Sequence, residues 1–404
     1  MMQFLYLAFI KVVEWLLPLV AKLSSNPKLK AFTEGRKKTF EHLQLPSHPE
    51  RYWFHCASLG EFEQARPVME SIKLSNPESS LVISFFSPSG YDQKKDYALA
   101  EAVFYLPLDT PYNAKRLIAL LQPKAVFFIK YEIWYFMLKA LFKKNIPVYL
   151  ISANFRKGQY IFSFWGAWLF KLLKGYKTIF LQNKTSFDLL QSKGLTNIEL
   201  NGDTRYDRVF DNSQKVKENA NIAIFKNNIP LLILGSSWPK EESILLDYLK
   251  GNITSPLRII IAPHDISDKH IREIQKQFED FKPVLYTEFN SPESSDLMIL
   301  NTIGHLASAY NYADIAFIGG GFTGQLHNIL EPLSFGAPVV TGPIHHKFPE
   351  AEMARQAGVL FEIHSSDDLA KILSTINYQA LKPNAENFIM DRKGATQSIL
   401  NTLN

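Results

Sequence analysis

The chain has 404 residues, of which 46% are hydrophobic and 21% are charged. This length is too great for one ordinary core and predicts two globular domains. The net charge of +5 is concentrated in residues 1–38, so the rest of the chain has no basic excess that would indicate a nucleic-acid-binding surface. The single cysteine, Cys56, excludes an internal disulfide and is interpreted as a small core residue.

The N-terminal segment combines an apolar stretch with basic residues. Residues 1–23 are long enough to cross a bilayer, but Lys11 and Glu14 lie near the middle of the stretch. Two charges at the centre of a spanning helix cost roughly 2.5–3.5 kcal/mol each. We therefore expect residues 1–38 to associate with a membrane through a helix that lies at an anionic surface. A true span and a cleaved or domain-packed segment are the alternatives.

Apolar runs typical of buried strands alternate with helical stretches along the rest of the chain, which predicts an α/β protein with parallel sheets. Residues 39–210 are predicted to form one Rossmann-like domain and residues 211–385 a second, facing each other across a cleft. The polar stretch 203–228 is interpreted as the linker. Residues 386–404 are predicted to be a C-terminal helix that could pack back on the first domain.

Two glutamates follow strand ends in the first domain. Open parallel sheets bind ligands at their carboxyl edge, where a carboxylate can act as a general base on a hydroxyl group. Spacing alone also allows such a carboxylate simply to stabilise the start of a helix. The candidate residues of this edge are Ser58, Gly60, Glu61, Lys130 and Glu132.

Strand ends in the second domain carry residues that suit a nucleotide. Serine hydroxyls and backbone N–H groups can bind phosphate, and loop atoms can contact the edge of a base. The candidates are Ser236, Ser237, Pro263 and His264. At the domain junction, Arg205 could neutralise a phosphate or carboxylate, or form a plain salt bridge.

A glycine-rich turn follows the apolar run 314–318 and precedes a helical stretch near residues 328–335. Glycines let the backbone approach an anion closely, and the first N–H groups of a helix point toward it. Glu331 is placed to accept hydrogen bonds from a ribose diol. The predicted nucleotide-binding residues of this motif are Gly319, Gly320, Gly321, His327, Asn328 and Glu331.

Several other classes of site have no motif in the chain. No His-Glu-x-x-His, paired-cysteine or Asp-x-Asp spacing indicates a metal site, and His345 and His346 are adjacent, so one face cannot present both. A phosphate loop of the Walker type and a Gly-x-Ser-x-Gly elbow are also missing from the sequence. These observations disfavour a metal-dependent transferase, a kinase and a serine hydrolase, and we expect no metal and no cofactor.

Taken in order, the motifs resemble those of the transferases of Gram-negative bacteria that move 3-deoxy-D-manno-octulosonic acid (Kdo) from CMP-Kdo to a lipid A precursor. The resemblance covers nearly the whole chain. It is carried by Ala57-Ser58-Leu59-Gly60-Glu61, Ser87-Pro88-Ser89-Gly90, Tyr105-Leu106-Pro107-Leu108-Asp109, Glu132-Ile133-Trp134, Gly202-Asp203-Thr204-Arg205, Asp314-Ile315-Ala316-Phe317-Ile318-Gly319-Gly320 and His327-Asn328-Ile329-Leu330-Glu331-Pro332.

The resemblance implies the GT-B fold and a metal-independent transfer that inverts the anomeric centre. It implies that Glu61 is the catalytic base and that Gly320, Asn328 and Glu331 hold CMP. The chain departs from the family pattern at Lys130, Arg205, the Pro263-His264 pair and Leu326. The implied partners are CMP-Kdo, the lipid A precursor and an anionic membrane, at the cytoplasmic face of the inner membrane.

Two other functions remain open from the sequence. One is a GT-B transferase that uses a UDP- or GDP-sugar as its donor. The other is a membrane-bound protein that binds a nucleotide sugar without turnover.

Overall fold

The computed structural model describes residues 1–43, 45–251, 256–291 and 295–403. Its chain divides into two compact units. Unit 1 comprises Met1–Asp207 and Lys393–Asn404, and unit 2 comprises Arg208–Arg392. Asn404, the last residue of the predicted C-terminal helix, lies outside the described residues.

Unit 1 is built on a seven-stranded sheet whose described strands pair in parallel in the order β3-β2-β1-β4-β5-β6-β7. Because the order reverses between β1 and β4, the carboxyl ends of these two strands flank a crevice. The strands are β1 (Arg51–Cys56), β2 (Ser80–Phe85), β3 (Ala102–Tyr105), β4 (Ala125–Ile129), β5 (Val148–Ala153), β6 (Thr178–Leu181) and β7 (Ile198–Leu200).

Unit 2 repeats this architecture, with its described strands parallel in the order β10-β11-β9-β8-β12-β13-β14. The order reverses between β8 and β12, which marks the corresponding crevice. The strands are β8 (Leu231–Ser237), β9 (Arg258–Pro263), β10 (Val284–Leu285), β11 (Leu297–Ile299), β12 (Ile315–Ile318), β13 (Val339–Thr341) and β14 (Leu360–Glu362).

The helices connect these strands and flank the sheets. They are α1 (Met2–Leu23), α2 (Pro27–His42), α3 (Leu59–Ser75), α4 (Pro88–Lys94), α5 (Pro111–Leu121), α6 (Tyr135–Lys143), α7 (Ala167–Phe170), α8 (Lys184–Ser192), α9 (Thr204–Gln214), α10 (Ala220–Lys226), α11 (Pro239–Gly251), α12 (Asp268–Gln277), α13 (Leu306–Ala309), α14 (Leu330–Ser334), α15 (Pro349–Gln356), α16 (Ser366–Thr375), α17 (Tyr378–Met390) and α18 (Ala395–Asn401).

The central strand of unit 1 shows why the chain folds into this layered form. Every residue of β1 is buried, and successive side chains point to opposite faces of the sheet. Trp53 packs into the core on one face and Phe54 into the core on the other. Such strands are apolar on both faces, as parallel sheets covered by helices require.

The polar stretch 203–228, interpreted as the linker, contains the boundary between the two units after Asp207, but it is not a loop because it holds α9 and α10. Tyr206 and Val209 of α9 are buried, as are Ile222 and Phe225 of α10. The Asn219 side chain caps α10 by accepting a hydrogen bond from the Ile222 N–H group at 3.2 Å. A few apolar residues at helical spacing therefore decide the structure although the composition is that of a loop.

The C-terminal residues 393–403 belong to unit 1. Ile399 of α18 lies in the same core cluster as Phe54. Asp207 accepts hydrogen bonds from the backbone N–H and the hydroxyl of Thr396, both at 2.8 Å. These contacts fix α18 beside α3 through both packing and charge-assisted hydrogen bonds.

Helix α1 has the length and composition that would allow it to cross a membrane, and 11% of its apolar window is buried. Its outward residues include Phe4, Phe9, Trp15 and Leu19. Tyr6 lies on the inward side and donates a hydrogen bond to Asp109 at 2.8 Å. One face of α1 is thus held on unit 1 while the other leaves large apolar side chains exposed.

Candidate functional site

The crevice of unit 1 brings together the residues predicted from its strand ends. Ser58, Gly60 and Glu61 follow β1, and Lys130 and Glu132 follow β4. Since β1 and β4 are neighbours, these loops meet at one edge of the sheet. The spacing-based expectation of a cluster at this edge agrees with where the structure places the side chains.

Glu61 lies in the first turn of α3 and is only 5% exposed. Its carboxylate accepts a hydrogen bond from the backbone N–H of Ala57. The pKa of Glu61 is raised from 4.5 to about 7, mainly by burial and also by the nearby charge of Glu132. The Ala57 hydrogen bond and the charge of Lys130 act the other way. A carboxyl group that titrates near neutral pH suits general-base work.

Glu132 is held by aromatic and histidine side chains. It accepts a hydrogen bond from Trp134 Nε1 at 2.9 Å, and His55 Nε2 lies 3.7 Å from its carboxylate. The buried His55 ring also contacts the Ser84 hydroxyl through Nδ1 at 2.9 Å. These contacts hold the Glu132 carboxylate in place, which gives its effect on the pKa of Glu61 a structural basis.

The segment after β4 differs from the prediction that Glu132 begins a helix. Lys130 has a left-handed backbone with φ +64°, and Trp134 is extended, so α6 begins only at Tyr135. A strained left-handed lysine at this edge costs roughly 1 kcal/mol or more and is common near functional sites. Glu132 therefore sits on a loop, where it cannot act as the helix cap that was considered for it.

Ser58 and Gly60 form the turn that presents Glu61. Ser58 is the N-cap residue of α3 with an extended backbone, and its side chain makes no capping hydrogen bond. Gly60 is exposed, and a Cβ built on it would meet only the Ser58 hydroxyl, at 4.0 Å. The first turn of α3 thus leaves open space beside Glu61.

Arg205 forms the salt bridge that was one of its two predicted roles. Its guanidinium lies 2.8 Å from the Asp203 carboxylate, which is 8% exposed. Asp203 also accepts a hydrogen bond from Gln182 Nε2 at 2.9 Å. The arginine is therefore positioned by a nearly buried acid, while its own side chain remains one-third exposed.

The crevice of unit 2 is lined by the glycine turn and the end of β8. Ser236 has a left-handed backbone with φ +53°. A Cβ on Gly319 would lie 2.0 Å from the Ser236 carbonyl oxygen, so only glycine fits there. Ser237 donates a hydrogen bond to Glu242 at 2.7 Å, which directs its hydroxyl inward.

The glycine turn differs from the predicted phosphate cradle in two respects. The Gly320 N–H group donates to the buried carboxylate of Glu241 at 2.8 Å, and the Gln325 N–H donates back to the Gly320 carbonyl. Helix α14 spans only Leu330–Ser334, whereas a helix was expected near residues 328–335. Asn328 stabilises its start by accepting from the Leu330 N–H at 3.0 Å. The amide of Gly320 is therefore already used within the protein.

Three aromatic side chains form a stack at the same edge of unit 2. The rings of Trp238 and His264 are stacked at 4.9 Å, and His327 lies 4.7 Å from His264. Trp238 Nε1 donates to His327 Nε2 at 3.2 Å, and burial lowers the pKa of His327 to about 4. A neutral His327 is thus a hydrogen-bond acceptor here, and the stack offers flat surfaces of the kind on which a nucleobase packs.

The structure also gives the positions of three further predicted residues of unit 2. Pro263 ends β9 beside His264, Gly321 packs against the Thr341 side chain, and Glu331 lies in the first turn of α14. Within the described ranges, no group of three or more His, Cys, Asp or Glu side chains is arranged to hold a metal ion.

Sequence reasoning missed three residues of these edges. His55 lies inside β1, where no motif marks it. Glu241 contacts Gly320, which is 79 positions away in the chain. Trp238 directly follows the predicted Ser237. The position of Trp238 at the carboxyl end of β8 was a usable signal, because it places an aromatic ring at the crevice. No local pattern pointed to the pairing of Glu241 with Gly320.

Residues 33–208 match the family model described as 3-deoxy-D-manno-octulosonic-acid transferase (kdotransferase). The chain is 26% identical to a 3-deoxy-D-manno-octulosonic acid transferase of Haemophilus influenzae, over 88% of this chain and 87% of the relative. It is also 26% identical to an enzyme of the same name from Aquifex aeolicus, over 85% of this chain and 90% of the relative.

The fold is similar to that of UDP-GlcNAc 2-epimerase from Neisseria meningitidis, with a TM-score of 0.59 over 87% of this chain and 99% of that structure. At 15% identity, this likeness concerns the fold alone. Two parallel Rossmann-like sheets and this likeness confirm the predicted GT-B fold. Its motifs, the matched segment and relatives that align over most of its length support the Kdo transferase family, and the chain is a glycosyltransferase.

Proposed function

We propose that this glycosyltransferase moves Kdo from CMP-Kdo to a lipid A precursor, inverts the anomeric carbon and needs no metal ion. The observation that carries the proposal is Glu61, a buried carboxylate at the crevice of unit 1 whose pKa is raised to about 7. The similarity to the family supports Kdo as the transferred sugar. The acceptor and the donor nucleotide are inferred from that similarity together with the chemistry of the two edges.

In the proposed reaction, the ionised Glu61 carboxylate removes the proton from a sugar hydroxyl of the acceptor. The hydroxyl oxygen forms the new bond to the anomeric carbon of Kdo as the bond from that carbon to the CMP phosphate breaks. The electron pair of that bond leaves with CMP. General-base assistance of this kind contributes about 10²–10⁴-fold to the rate.

The unit 1 edge is proposed to bind the acceptor. Ser58 and Gly60 leave space beside Glu61, and Lys130 supplies a positive charge near it. Glu132 tunes the base from the neighbouring loop. Arg205, held by Asp203, is proposed to neutralise negative charge of a substrate through its exposed part.

The unit 2 edge is proposed to bind CMP. The stack of Trp238 and His264 suits the flat face of cytosine, with Pro263 beside it. Glu331 is proposed to bind the ribose diol. The phosphate is assigned to the remaining predicted residues, which are Ser236, Ser237, Gly319, Gly320, Gly321, His327 and Asn328. The phosphate can approach the Gly320 N–H group only if the Glu241 carboxylate leaves that group or is protonated, because two anions repel each other.

The protein is proposed to work at the cytoplasmic face of the inner membrane, where its acceptor is embedded. The apolar outward face of α1 and the net charge of +5 in residues 1–38 support this location.

The test is a transfer assay with a tetraacyl lipid A precursor and separate donors, read by the mass of the lipid product. We expect a product increased by the mass of Kdo with CMP-Kdo generated in place, and none with UDP- or GDP-sugars. Transfer from a UDP- or GDP-sugar instead would assign the donor site to another nucleotide. Binding of CMP without any product would make the protein a nucleotide-sugar binding protein and contradict the proposal.

A further inference from the structure

The connection between β5 and β6 has an unusual composition. Residues 154–177, hereafter the aromatic connection, contain five basic residues and no acidic residue. The basic residues are all exposed, and they are Arg156, Lys157, Lys171, Lys174 and Lys177. This stretch also holds many aromatic residues. Basic and aromatic side chains together are typical of a surface that meets anionic lipid headgroups.

Two large aromatic rings project from the aromatic connection into solvent. Phe164 is 86% exposed and Trp165 is 58% exposed, and their rings contact each other at 5.5 Å. A single exposed apolar residue needs no explanation, but a contiguous exposed pair on a basic surface indicates a binding partner.

The pair is displayed by a turn with its own internal bonds. Ser163 accepts a hydrogen bond from the Gly166 N–H at 3.1 Å and donates to the Tyr160 carbonyl at 2.7 Å. The Tyr160 hydroxyl donates to the Trp165 carbonyl at 3.0 Å. A Cβ on Gly166 would lie 2.0 Å from the Tyr160 carbonyl oxygen, so the turn requires glycine there. The rings are therefore held outward by a defined structure.

The aromatic connection also packs directly against α1. The Trp168 ring lies 5.6 Å from Tyr6 of α1 and 4.7 Å from Tyr135. The Tyr135 hydroxyl donates to the Gln3 side chain of α1 at 2.6 Å. The turn and the N-terminal half of α1 therefore belong to one continuous surface of unit 1. The aromatic connection leaves β5 at the carboxyl edge, which is also the edge of Glu61.

We propose that the Phe164–Trp165 turn is a second membrane-contact site, which enters the headgroup boundary of an anionic bilayer beside α1. The exposed basic side chains that follow the carboxyl end of β5, Arg156 and Lys157, contact the headgroups, and the two rings occupy the interface where aromatic residues are favoured. This inference extends the membrane part of the proposed function and does not depend on which sugar is transferred. Two contacts would fix the orientation of unit 1, with the Glu61 edge toward the lipid acceptor.

The chain allows a direct test, because its single cysteine, Cys56, is fully buried. An environment-sensitive nitrobenzoxadiazole label can therefore be attached to one introduced thiol at a time in the full-length protein. The three variants are Phe164→Cys in the turn, Trp15→Cys on the exposed face of α1 and Leu74→Cys as the control. Leu74 is 79% exposed and lies in the last turn of α3, about 20 Å along the helix from Glu61.

Vesicles of phosphatidylcholine with phosphatidylglycerol are added to each labelled protein. We expect a blue shift and increased fluorescence at positions 164 and 15, and no change at position 74. A shift at 15 without one at 164, or no shift at any position, would overturn the proposal. A shift at position 74 as well would indicate adsorption without orientation and would also overturn it. A shift at 164 on raising the protein concentration without vesicles would assign the turn to self-association instead.

A second measurement uses unlabelled protein. The double variant Phe164→Ser with Trp165→Ser should lower the vesicle partition coefficient about tenfold, because the interfacial apolar contact is lost. Leu74→Ser should leave it unchanged. Equal partitioning of the double variant and the native chain would contradict the second contact. Because neither measurement involves donor or acceptor, a failed transfer assay and a failed membrane contact are distinguishable.

Discussion

The charge of Glu132 raises the pKa of Glu61, although Glu61 lies in the first turn of α3 after β1 and Glu132 lies on the loop after β4. Burial of Glu61 is the larger cause, and the two effects together bring its pKa to about 7. Trp134 and His55 hold Glu132 in place. The arrangement gives Glu61 a pKa near neutral pH, as the proposed base requires, and a second carboxylate that raises this pKa.

The pH dependence of the transfer rate should reveal the interaction between Glu61 and Glu132. Because the base must be ionised, kcat/KM should rise with pH and reach half of its maximum near pH 7, the pKa of Glu61. Glu132→Gln removes the like charge but keeps an oxygen that can accept from Trp134. The pKa of Glu61 should fall, so the half-maximum should move to lower pH. A pH profile that is the same in the variant would contradict the coupling.

The same raised pKa predicts how stability changes with pH. Between pH 4.5, the ordinary pKa, and about pH 7, folded Glu61 keeps its proton while unfolded Glu61 releases it. The folded state therefore loses stability relative to the unfolded state as pH rises through this range, by at most about 3 kcal/mol. Glu61→Gln removes this penalty.

The measurement is thermal or urea unfolding of both proteins at pH 5 and pH 8. We expect the variant to be more stable than the native chain at pH 8 and close to it at pH 5. A variant that is less stable at pH 8 would mean that the ionised carboxylate stabilises the fold.

Gly320 should be far less tolerant of substitution than another glycine with a similar backbone. Its φ is +85°, and a Cβ would lie 2.1 Å from the Gln325 carbonyl oxygen. Gly358 has φ +70° with nothing within 4 Å of its Cβ position. Gly358→Ala should lower the free energy of unfolding by only about 1–2 kcal/mol, which is the cost of the left-handed backbone for an alanine.

Gly320→Ala should lower the free energy of unfolding by more than that and weaken CMP binding as well, because the turn must move. Urea unfolding and a CMP titration of the two variants check this. Equal losses of stability in Gly320→Ala and Gly358→Ala would contradict this prediction, because the glycine turn would then move aside at little cost.

The stack of Trp238 and His264 in unit 2 predicts how two substitutions of Trp238 change the affinity of the protein for CMP. Trp238→Leu should raise the Kd for CMP about tenfold, since base stacking contributes about 1–3 kcal/mol per base. Trp238→Phe keeps a ring against His264 and should retain most of the affinity. Calorimetric titration with CMP measures both. If the leucine variant binds CMP as well as the native chain, cytosine does not stack on this ring.

Local patterns were sufficient for the fold and for the placement of single residues at strand ends. Alternation of apolar strands with helices gave the two parallel sheets, and the turns after them put Glu61 and Ser236 at carboxyl edges. Both features depend on neighbours in the sequence, where hydrophobic period and glycine position carry the information. The resemblance to the Kdo transferase family and the enzyme class were likewise recognised from motif order; the comparisons support the family and confirm the enzyme class.

Contacts between distant parts of the chain could not be read in this way. The Glu241 carboxylate of α11 accepts the hydrogen bond of the Gly320 N–H group in the glycine turn, and no pattern near either residue signals this. The absence of a helix at Glu132 was likewise not predictable. Lys130 has a left-handed backbone just before it, and the sequence does not indicate this because lysine has no special preference for that conformation. The roles of the individual site residues remain predictions.

The central claim is that Glu61 is the base, and the most direct test compares Glu61→Gln with Glu70→Gln in single-turnover transfer. Both residues lie on α3, but Glu70 pairs with Arg66 away from the crevice, so its variant controls for charge loss on the helix. We predict that Glu61→Gln lowers the rate about 10²–10⁴-fold while Glu70→Gln transfers at the native rate. A folded Glu61→Gln enzyme that transfers as fast as the native chain would contradict the account.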